Sequence, residues 1–293
     1  MNSSWVLISG CSTGIGRATA AQLAAKGFNV IAGIRSEADG RALSTLAKSG
    51  RIVPVLLDVT NDAQIAAAVS TAQELCGEFG LRAVINNAGI VVAGPLEHVM
   101  AAEWRRQFDV NFFGMIELTR ATLPLLRRGV RFHGANLPRL IFVSSIGGRV
   151  SQPGLMPYTT SKFATTALGD GLRLELRRQG IGVTVVEPGA IATAIWAKGD
   201  SAAQEFSPSH PARILYDIEI NGLTAAAKRT ASKAISAEHA ADVIIRSLLA
   251  RRAPARVLIG RDARMIALLK SVLPVSWFDA ILAREFGLAG QPG

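Results

Sequence analysis

From Trp5 onward, short apolar runs alternate with longer helical stretches, and this alternation constrains the fold more than any other feature. Strands are predicted at residues 5–8, 28–34, 52–57, 83–86, 140–144, 183–187 and 256–259. Helices are predicted between them, over 17–26, 41–48, 63–79, 103–127 and 158–178. Strands joined by helical crossovers run parallel, and a parallel sheet needs both of its faces covered. The expected fold class is therefore α/β: an open, doubly wound parallel sheet of about seven strands with helices on both faces. Such a sheet binds its ligand at the carboxyl ends of the strands. The stretch 191–236 breaks the rhythm and carries Trp196, Phe206, Pro208 and Pro211, so it reads as an insertion capping the substrate side. Residues 265–293 read as a C-terminal helical extension, and 1–293 as a single domain.

Hydrophobic residues make up 49% of the 293 and charged residues 18%, which permits a sizeable core and excludes a disordered chain. Only two cysteines occur, Cys11 and Cys76, and no metal-ligand spacing accompanies them. A reduced, cytoplasmic protein without a metal is the simplest expectation. The first residues lack the basic and apolar regions of a signal peptide, and no uncharged apolar run reaches the length of a membrane span.

The net charge of +10 raises the question of nucleic acid. Most of the positive charge is arginine spread along predicted helices, as at Arg173, Arg177 and Arg178, with the densest patch between Arg246 and Arg264. No nucleic-acid motif accompanies it, so solvated helix faces are the expectation and no nucleic-acid partner is. The stretch 265–286 mixes Leu269, Leu273, Trp277, Phe278 and Leu282 with Lys270 and Arg284. Such a stretch can lie on a membrane surface. Packing against its own domain or a partner subunit is the commoner use, and is the expectation here.

Two clusters carry chemistry. The first turn reads Ser9-Gly10-Cys11-Ser12-Thr13-Gly14-Ile15-Gly16, between the first strand and the first helix. Glycines let backbone approach a pyrophosphate closely, and a helix N-terminus offers unpaired N–H groups. Three glycines alone would mean an ordinary turn; their place at the end of the first strand makes them a candidate cofactor site. The second cluster is Tyr158 and Lys162, four residues apart and so on one helix face. Tyrosine, with a free pKa near 10, is a poor base at neutral pH. A nearby ammonium lowers it towards the range where acid–base catalysis works.

The turn resembles the TGxxxGxG turn of the short-chain dehydrogenase/reductase family, with Ser9 where that family usually has threonine. The resemblance extends along almost the whole chain and implies a Rossmann-like fold binding a nicotinamide dinucleotide. Asp58 and Val59 fall where the family contacts adenine, and Asn86-Asn87-Ala88-Gly89 matches its NNAG motif. Asn111, Ser145, Tyr158 and Lys162 match its catalytic tetrad in order and spacing, and Pro188-Gly189 with Thr193 matches the segment beside the nicotinamide. The cofactor-binding residues so implied are Gly10, Ser12, Thr13, Gly14, Ile15, Gly16, Asp58, Val59, Asn87, Ala88, Gly89, Tyr158, Lys162, Pro188, Gly189 and Thr193. Hydride transfer without a metal is the implied reaction. Tyr158 is its acid or base, Ser145 holds the substrate oxygen, Lys162 tunes Tyr158 and binds ribose, and Asn111 holds a water that links the lysine to solvent.

NAD-specific members place an acid at the end of the second strand. Here that strand ends Gly33-Ile34-Arg35, and Arg35 can pair with a 2′-phosphate, so NADP(H) is favoured over NAD(H). The wording Phe108-Asp109-Val110-Asn111, Ser145-Ile146-Gly147-Gly148-Arg149-Val150 and Val186-Glu187-Pro188-Gly189 resembles the branch containing retinol and 17β-hydroxysteroid dehydrogenases. That implies a lipophilic alcohol or carbonyl and a homo-oligomer, dimer or tetramer, built through the helices carrying Asn111 and Tyr158. The alternatives are a reductase of 3-oxoacyl thioesters or small carbonyls, a silent nucleotide-binding scaffold, and a basic nucleic-acid binder.

Overall fold

A computed structural model describes residues 4–134, 137–192, 206–207 and 209–289. Its framework follows from strands that are apolar on both sides. In β1 (Trp5–Ile8), Val6 and Ile8 enter one core layer while Trp5 and Leu7 enter the other. The same division holds for β2 (Asn29–Ile34), where Val30 and Ala32 oppose Ile31, and for β5 (Arg139–Val143), where Ile141 and Val143 oppose Leu140 and Phe142. With β3 (Ile52–Leu56), β4 (Leu81–Asn86), β6 (Gly182–Pro188) and β7 (Arg256–Ile259) they form a seven-stranded sheet in the order β3-β2-β1-β4-β5-β6-β7. Every neighbouring pair is parallel. This is the Rossmann-like, doubly wound architecture expected.

Helices α1 (Gly14–Ala25) and α2 (Glu37–Ser44) cover one face. Helices α3 (Asp62–Cys76), α5 (Gly114–Val130) and α6 (Met156–Glu175) cover the other. The predicted helix over 103–127 is in fact two: α4 (Ala101–Phe108) and α5, joined by a π-helical turn, Asp109–Phe113. A π turn admits an extra residue, and such turns are frequent at functional sites. Here the turn swings Asn111 inward, where its side chain bonds the backbone of Ile90.

Strands β4 and β5 begin earlier than predicted because their buried arginines find partners. Arg82 donates to the carbonyls of Leu137 at 2.7 Å and Leu248 at 3.0 Å. Arg139 donates to those of Leu137 at 2.9 Å and Ala250 at 2.7 Å. Helix α6 starts at Met156, with Pro157 in the first turn, where a missing N–H has no effect.

Beyond β6, α7 (Arg213–Ser232) occupies much of the predicted insertion, and α8 (Ala237–Leu249) packs its Ala240, Ala241, Ile244 and Leu248 into the α1 layer. Sequence reading did not predict α8. Its signals are Ser236, whose Oγ accepts from His239 N at 3.1 Å, and apolar residues at helical spacing. The extension forms α9 (Arg261–Val272) and α10 (Val275–Glu285), which bury Ala263, Ala267 and Phe278 against the body, as packing on its own domain requires. Trp196 and Pro208 of the predicted cap lie outside the described residues.

Candidate active site

Strand order reverses between β1 and β4, so their carboxyl ends splay apart and leave a crevice. The first turn and the NNAG segment are stitched together across it. Ser9 Oγ accepts from the backbone N–H groups of Asn87 and Ala88 at 3.0 and 3.1 Å, and Asn87 Nδ2 donates to the carbonyls of Ser9 and Gly10 at 3.0 Å each. The hydroxyl needed at position 9 is thus supplied by serine. Gly10 has φ +72°, and a Cβ there would lie 2.8 Å from Ala88 Cα, so no other residue permits this approach.

The resulting cleft, about 200 Å³, is lined by Gly10, Ser12, Thr13, Gly14 and Ile15 from the turn and by Asn87, Ala88 and Gly89 from the NNAG segment. Arg35, Asp58 and Val59 close one end; Ser145, Tyr158, Lys162, Pro188 and Gly189 close the other. Gly16 does not line it: a Cβ at Gly16 would meet the Gly10 carbonyl oxygen at 2.3 Å, so this glycine serves closure of the turn. Thr193 lies outside the described residues. Leu57, Ile90, Val110, Val143 and Ile191 also line the cleft and were not singled out from sequence as cofactor or catalytic residues, and Ser144, the weaker candidate for the functional serine, lines it as well. These five are apolar residues that sequence alone cannot tell from core, although each is next to a motif residue or within two of one.

The cleft fits an extended dinucleotide. Helix α1 points its N-terminus into it, with no side-chain cap at Thr13 and no acid in its first turn, leaving N–H groups for a pyrophosphate. Asp58 is the one carboxylate among the described lining residues. Burial pushes its pKa up, but hydrogen bonds from Thr60 and the charge of Arg35 outweigh that and hold it below the usual range. Glu37, the acid nearest the end of β2, faces Arg41 at 3.9 Å instead.

At the other end, β5 delivers two serines with different jobs. Ser144 Oγ bonds the Lys162 carbonyl at 3.1 Å and Thr166 Oγ1 at 2.9 Å, which fastens α6 to the sheet. Ser145 Oγ accepts from Gly147 N at 3.0 Å and shares a hydrogen bond with the Tyr158 side chain. Of these two neighbouring serines, either of which the sequence could offer, it is thus Ser145, at the family's spacing from the tyrosine, that meets Tyr158. Lys162 is buried, its Nζ donating to the Val143 carbonyl at 2.9 Å and lying 5.7 Å from the centre of the Tyr158 ring. Burial pulls the Lys162 pKa down to about 8. Burial also pushes Tyr158 up, against the opposing pull of the Ser145 bond. The expected lowering of Tyr158 by Lys162 is thus not what this geometry gives, because burial of the phenol is the larger influence.

Asn111 is fully buried rather than on the cleft wall. Its Oδ1 accepts from Ile90 N at 2.8 Å, and its Nδ2 donates to Ile90 O at 3.0 Å and Ser161 Oγ at 3.2 Å. It thereby ties the NNAG segment to the helix carrying Tyr158.

Gly189 belongs to two walls. Beyond it opens an apolar cavity of about 360 Å³ lined by Val150, Leu155, Leu223, Phe278, Leu282 and Phe286 among others. A second cavity of about 410 Å³ shares Ala93 and Leu223 with it and reaches Phe206 and Tyr216. Helix α7 supplies one wall, and α9 and α10 another.

Residues 4–204 match the family described as short chain dehydrogenase, and the chain belongs to that family. Escherichia coli YbbO, described as an uncharacterized oxidoreductase, is 38% identical over 64% of this chain and 66% of its own length. The 17-beta-hydroxysteroid dehydrogenase type 6 of Bos taurus is 33% identical over 98% of this chain and 90% of that protein. Human retinol dehydrogenase 16 is 32% identical over 95% and 87%. The branch read from the sequence is borne out with the family. Among solved structures, a short-chain dehydrogenase from Streptomyces avermitilis has a TM-score of 0.76 at 27% identity, covering 99% of this chain and 100% of that one. A short-chain dehydrogenase from Burkholderia cenocepacia, solved in complex with NADP, has a TM-score of 0.70 at 25% identity, covering 99% and 98%.

Proposed function

We propose that the protein is an NADP(H)-dependent oxidoreductase acting on a lipophilic secondary or allylic alcohol, or the matching carbonyl, of steroid-like or retinoid-like type. The observation that carries this reading is that the cleft lined by Ser145, Tyr158 and Lys162 shares Gly189 with the wall of the apolar cavity. The cofactor, when bound, supplies or accepts the hydride.

The chain's own residues handle position and the proton. Ser145 Oγ, fixed by Gly147 N, holds the substrate oxygen beside the Tyr158 hydroxyl. A phenol pushed up by burial stays protonated at neutral pH, which suits Tyr158 to donate its proton to the oxygen of a reduced carbonyl. In the oxidative direction it takes the proton back. Lys162, adjacent to the cleft, binds the ribose hydroxyls and offers an ammonium that stabilises the phenolate left behind. Asn111 holds Ile90 and Ser161, and so fixes the distance between the two sides of the site. Arg35, at the adenosine end, where Asp58 is the one carboxylate among the described lining residues, binds the 2′-phosphate. Within the stretch 191–236, α7 caps the apolar cavity as part of the same domain.

The test is NADPH consumption against ketosteroids, retinal and a 3-oxoacyl thioester, with Tyr158→Phe as control. Turnover of a lipophilic carbonyl, falling at least about a hundredfold in the variant, is expected. Turnover of the thioester alone would overturn the substrate class while keeping Tyr158. Equal turnover by the variant would overturn the assignment of Tyr158.

A further inference from the structure

Of the two apolar cavities beyond the catalytic residues, only one meets the cofactor cleft. The 360 Å³ cavity shares Gly189 with the cleft, whereas the 410 Å³ cavity shares none of its described lining residues with it. The reacting carbon of a substrate must sit at the cleft, so it cannot lie in the second cavity. The lining of that cavity is apolar nearly throughout, with Leu96, Met156, Phe206, Ile220 and Leu288 among its residues. Glu219 is the one charged residue described there. Such a space holds water poorly and hydrocarbon well.

The two cavities are joined at one place. Ala93 and Leu223 line both, and the Leu223 side chain lies against Gly154, which lines the second cavity alone. A Cβ at Gly154 would come within 2.9 Å of Leu223 Cδ2. Both sides of this passage are held by backbone. On one side, Gly94 N donates to the Gly154 carbonyl at 2.7 Å and ties the loop after β4 to the loop before α6. On the other, α7 is seated directly on the end of α10, where a Cβ at Gly222 would meet the Phe286 carbonyl oxygen at 2.1 Å. With both backbones so placed, the Leu223 side chain sets the width of the passage.

We propose that the two cavities form one substrate path divided at Leu223, and that the substrate is an open-chain carbonyl or alcohol whose neutral hydrocarbon tail passes Leu223 into the second cavity. The inference rests on the lipophilic-substrate reading above and narrows it, since a compact fused-ring substrate would fill the first cavity and leave the second empty. A tail ending in a carboxylate is disfavoured: Glu219 repels it, and no described residue lining the second cavity is cationic.

The test is kcat/KM with NADPH for straight-chain 2-ketones of about six to about sixteen carbons, together with their affinity by calorimetry in the presence of NADP⁺, which cannot reduce them. In the wild type, kcat/KM is expected to rise about fourfold for each methylene that enters the second cavity. A ketone of equal length ending in a carboxylate should be poorer by about tenfold or more; equal turnover would overturn the neutral tail. Leu223→Trp blocks the passage, so the ratio of kcat/KM between the longest and shortest ketones should fall about a hundredfold or more. Leu223→Ala widens it, so a long ketone ending in a phenyl ring should gain about tenfold on its straight-chain counterpart.

Loss of turnover by one common factor for every ketone in the tryptophan variant overturns the path. If that variant does not fold, the alanine variant decides, and an unchanged preference between the two tails overturns the path. Length-dependent binding that Leu223→Trp removes, with no ketone reduced, leaves the path standing and overturns the oxidoreductase reading. Reduction at rates indifferent to tail length and to both substitutions does the reverse.

Discussion

Lys162→Met separates what this lysine does for catalysis from what it does to stability. Burial brings its pKa from 10.5 down to about 8, and the residue is only 4% exposed, so solvent screens little of that penalty. A shift of this size means that holding the ammonium at neutral pH costs about 3 kcal/mol. The neutral amine would keep its bond to the Val143 carbonyl at 2.9 Å, which contributes about 1 kcal/mol that methionine cannot replace. The methionine variant is therefore expected to be inactive yet about 2 kcal/mol more stable than wild type at neutral pH. Between pH 8 and 10.5 the unfolded chain binds more protons than the folded one, so wild-type stability rises with pH there. The variant lacks that gain. Its advantage shrinks through this window and reverses above it, to about 1 kcal/mol in favour of wild type. Urea unfolding of both proteins at neutral pH and at about pH 10, without added cofactor, measures the difference directly. A variant less stable than wild type at neutral pH, by a margin that pH does not change, would refute the reasoning.

Arg35→Asp removes the cation proposed for the 2′-phosphate and should weaken NADPH relative to NADH by about tenfold to a hundredfold, read from cofactor titrations. An unchanged ratio would return the cofactor choice to NAD(H). Asp262→Ala frees Ala190 N and loosens the Pro188–Gly189 loop, so kcat/KM should fall by about tenfold or more, with Asp262→Asn restoring part of the loss through its amide oxygen. Equal behaviour of the alanine and asparagine variants would mean that the hydrogen bond does not position the loop. For the oligomer that the family resemblance implies through the helices of Asn111 and Tyr158, the exposed apolar residues are Phe113, Phe163 and Leu174, of which Leu174, at 70%, and Phe113 are the most exposed. Phe113→Glu with Leu174→Glu should reduce the mass found by light scattering to that of one chain; an unaltered oligomer would place the interface elsewhere.

All seven strands were legible as apolar runs: the five inner ones are buried on both faces, and the half-buried edge strands β3 and β7 are still apolar in sequence. Their starts were not legible where Arg82 and Arg139 stand, since a guanidinium at a strand end looks like a loop until the carbonyls that receive it are known. The glycine turn and the Tyr158–Lys162 pair were legible because each is set by local spacing, and the NNAG segment through its resemblance to the family motif. The π turn was not. It is held by the bonds from Asn111 to Ile90, a partner 21 residues away in sequence, and periodicity carries no record of it. The direction of the Tyr158 shift was missed for a related reason: spacing shows that a lysine is near, but not how deeply both groups are buried.

The departures from ordinary stability rules converge on the cleft and the elements packed directly behind it. Helix α1 leaves its N-terminus uncapped, the α4–α5 junction adopts a π turn, Lys162 is a buried cation, and Tyr158 is a phenol pushed away from ionisation. Each could be relieved by a common substitution, a capping acid in the first turn, a regular helix, a methionine or a phenylalanine. The surrounding bonds instead hold them: Ser9 to the NNAG segment, Asn111 to Ile90, Ser144 to α6 and Asp262 to Ala190. Of these four supporting side chains only Asn111 was expected from the resemblance to take part in the chemistry; Ser9, Ser144 and Asp262 were not. Sites whose geometry must stay fixed while a proton and a hydride move are where such local penalties are expected to persist. The support is also directional, since it joins β1, β4, β5 and β6 at their carboxyl ends, where the polar cleft and the apolar cavity meet.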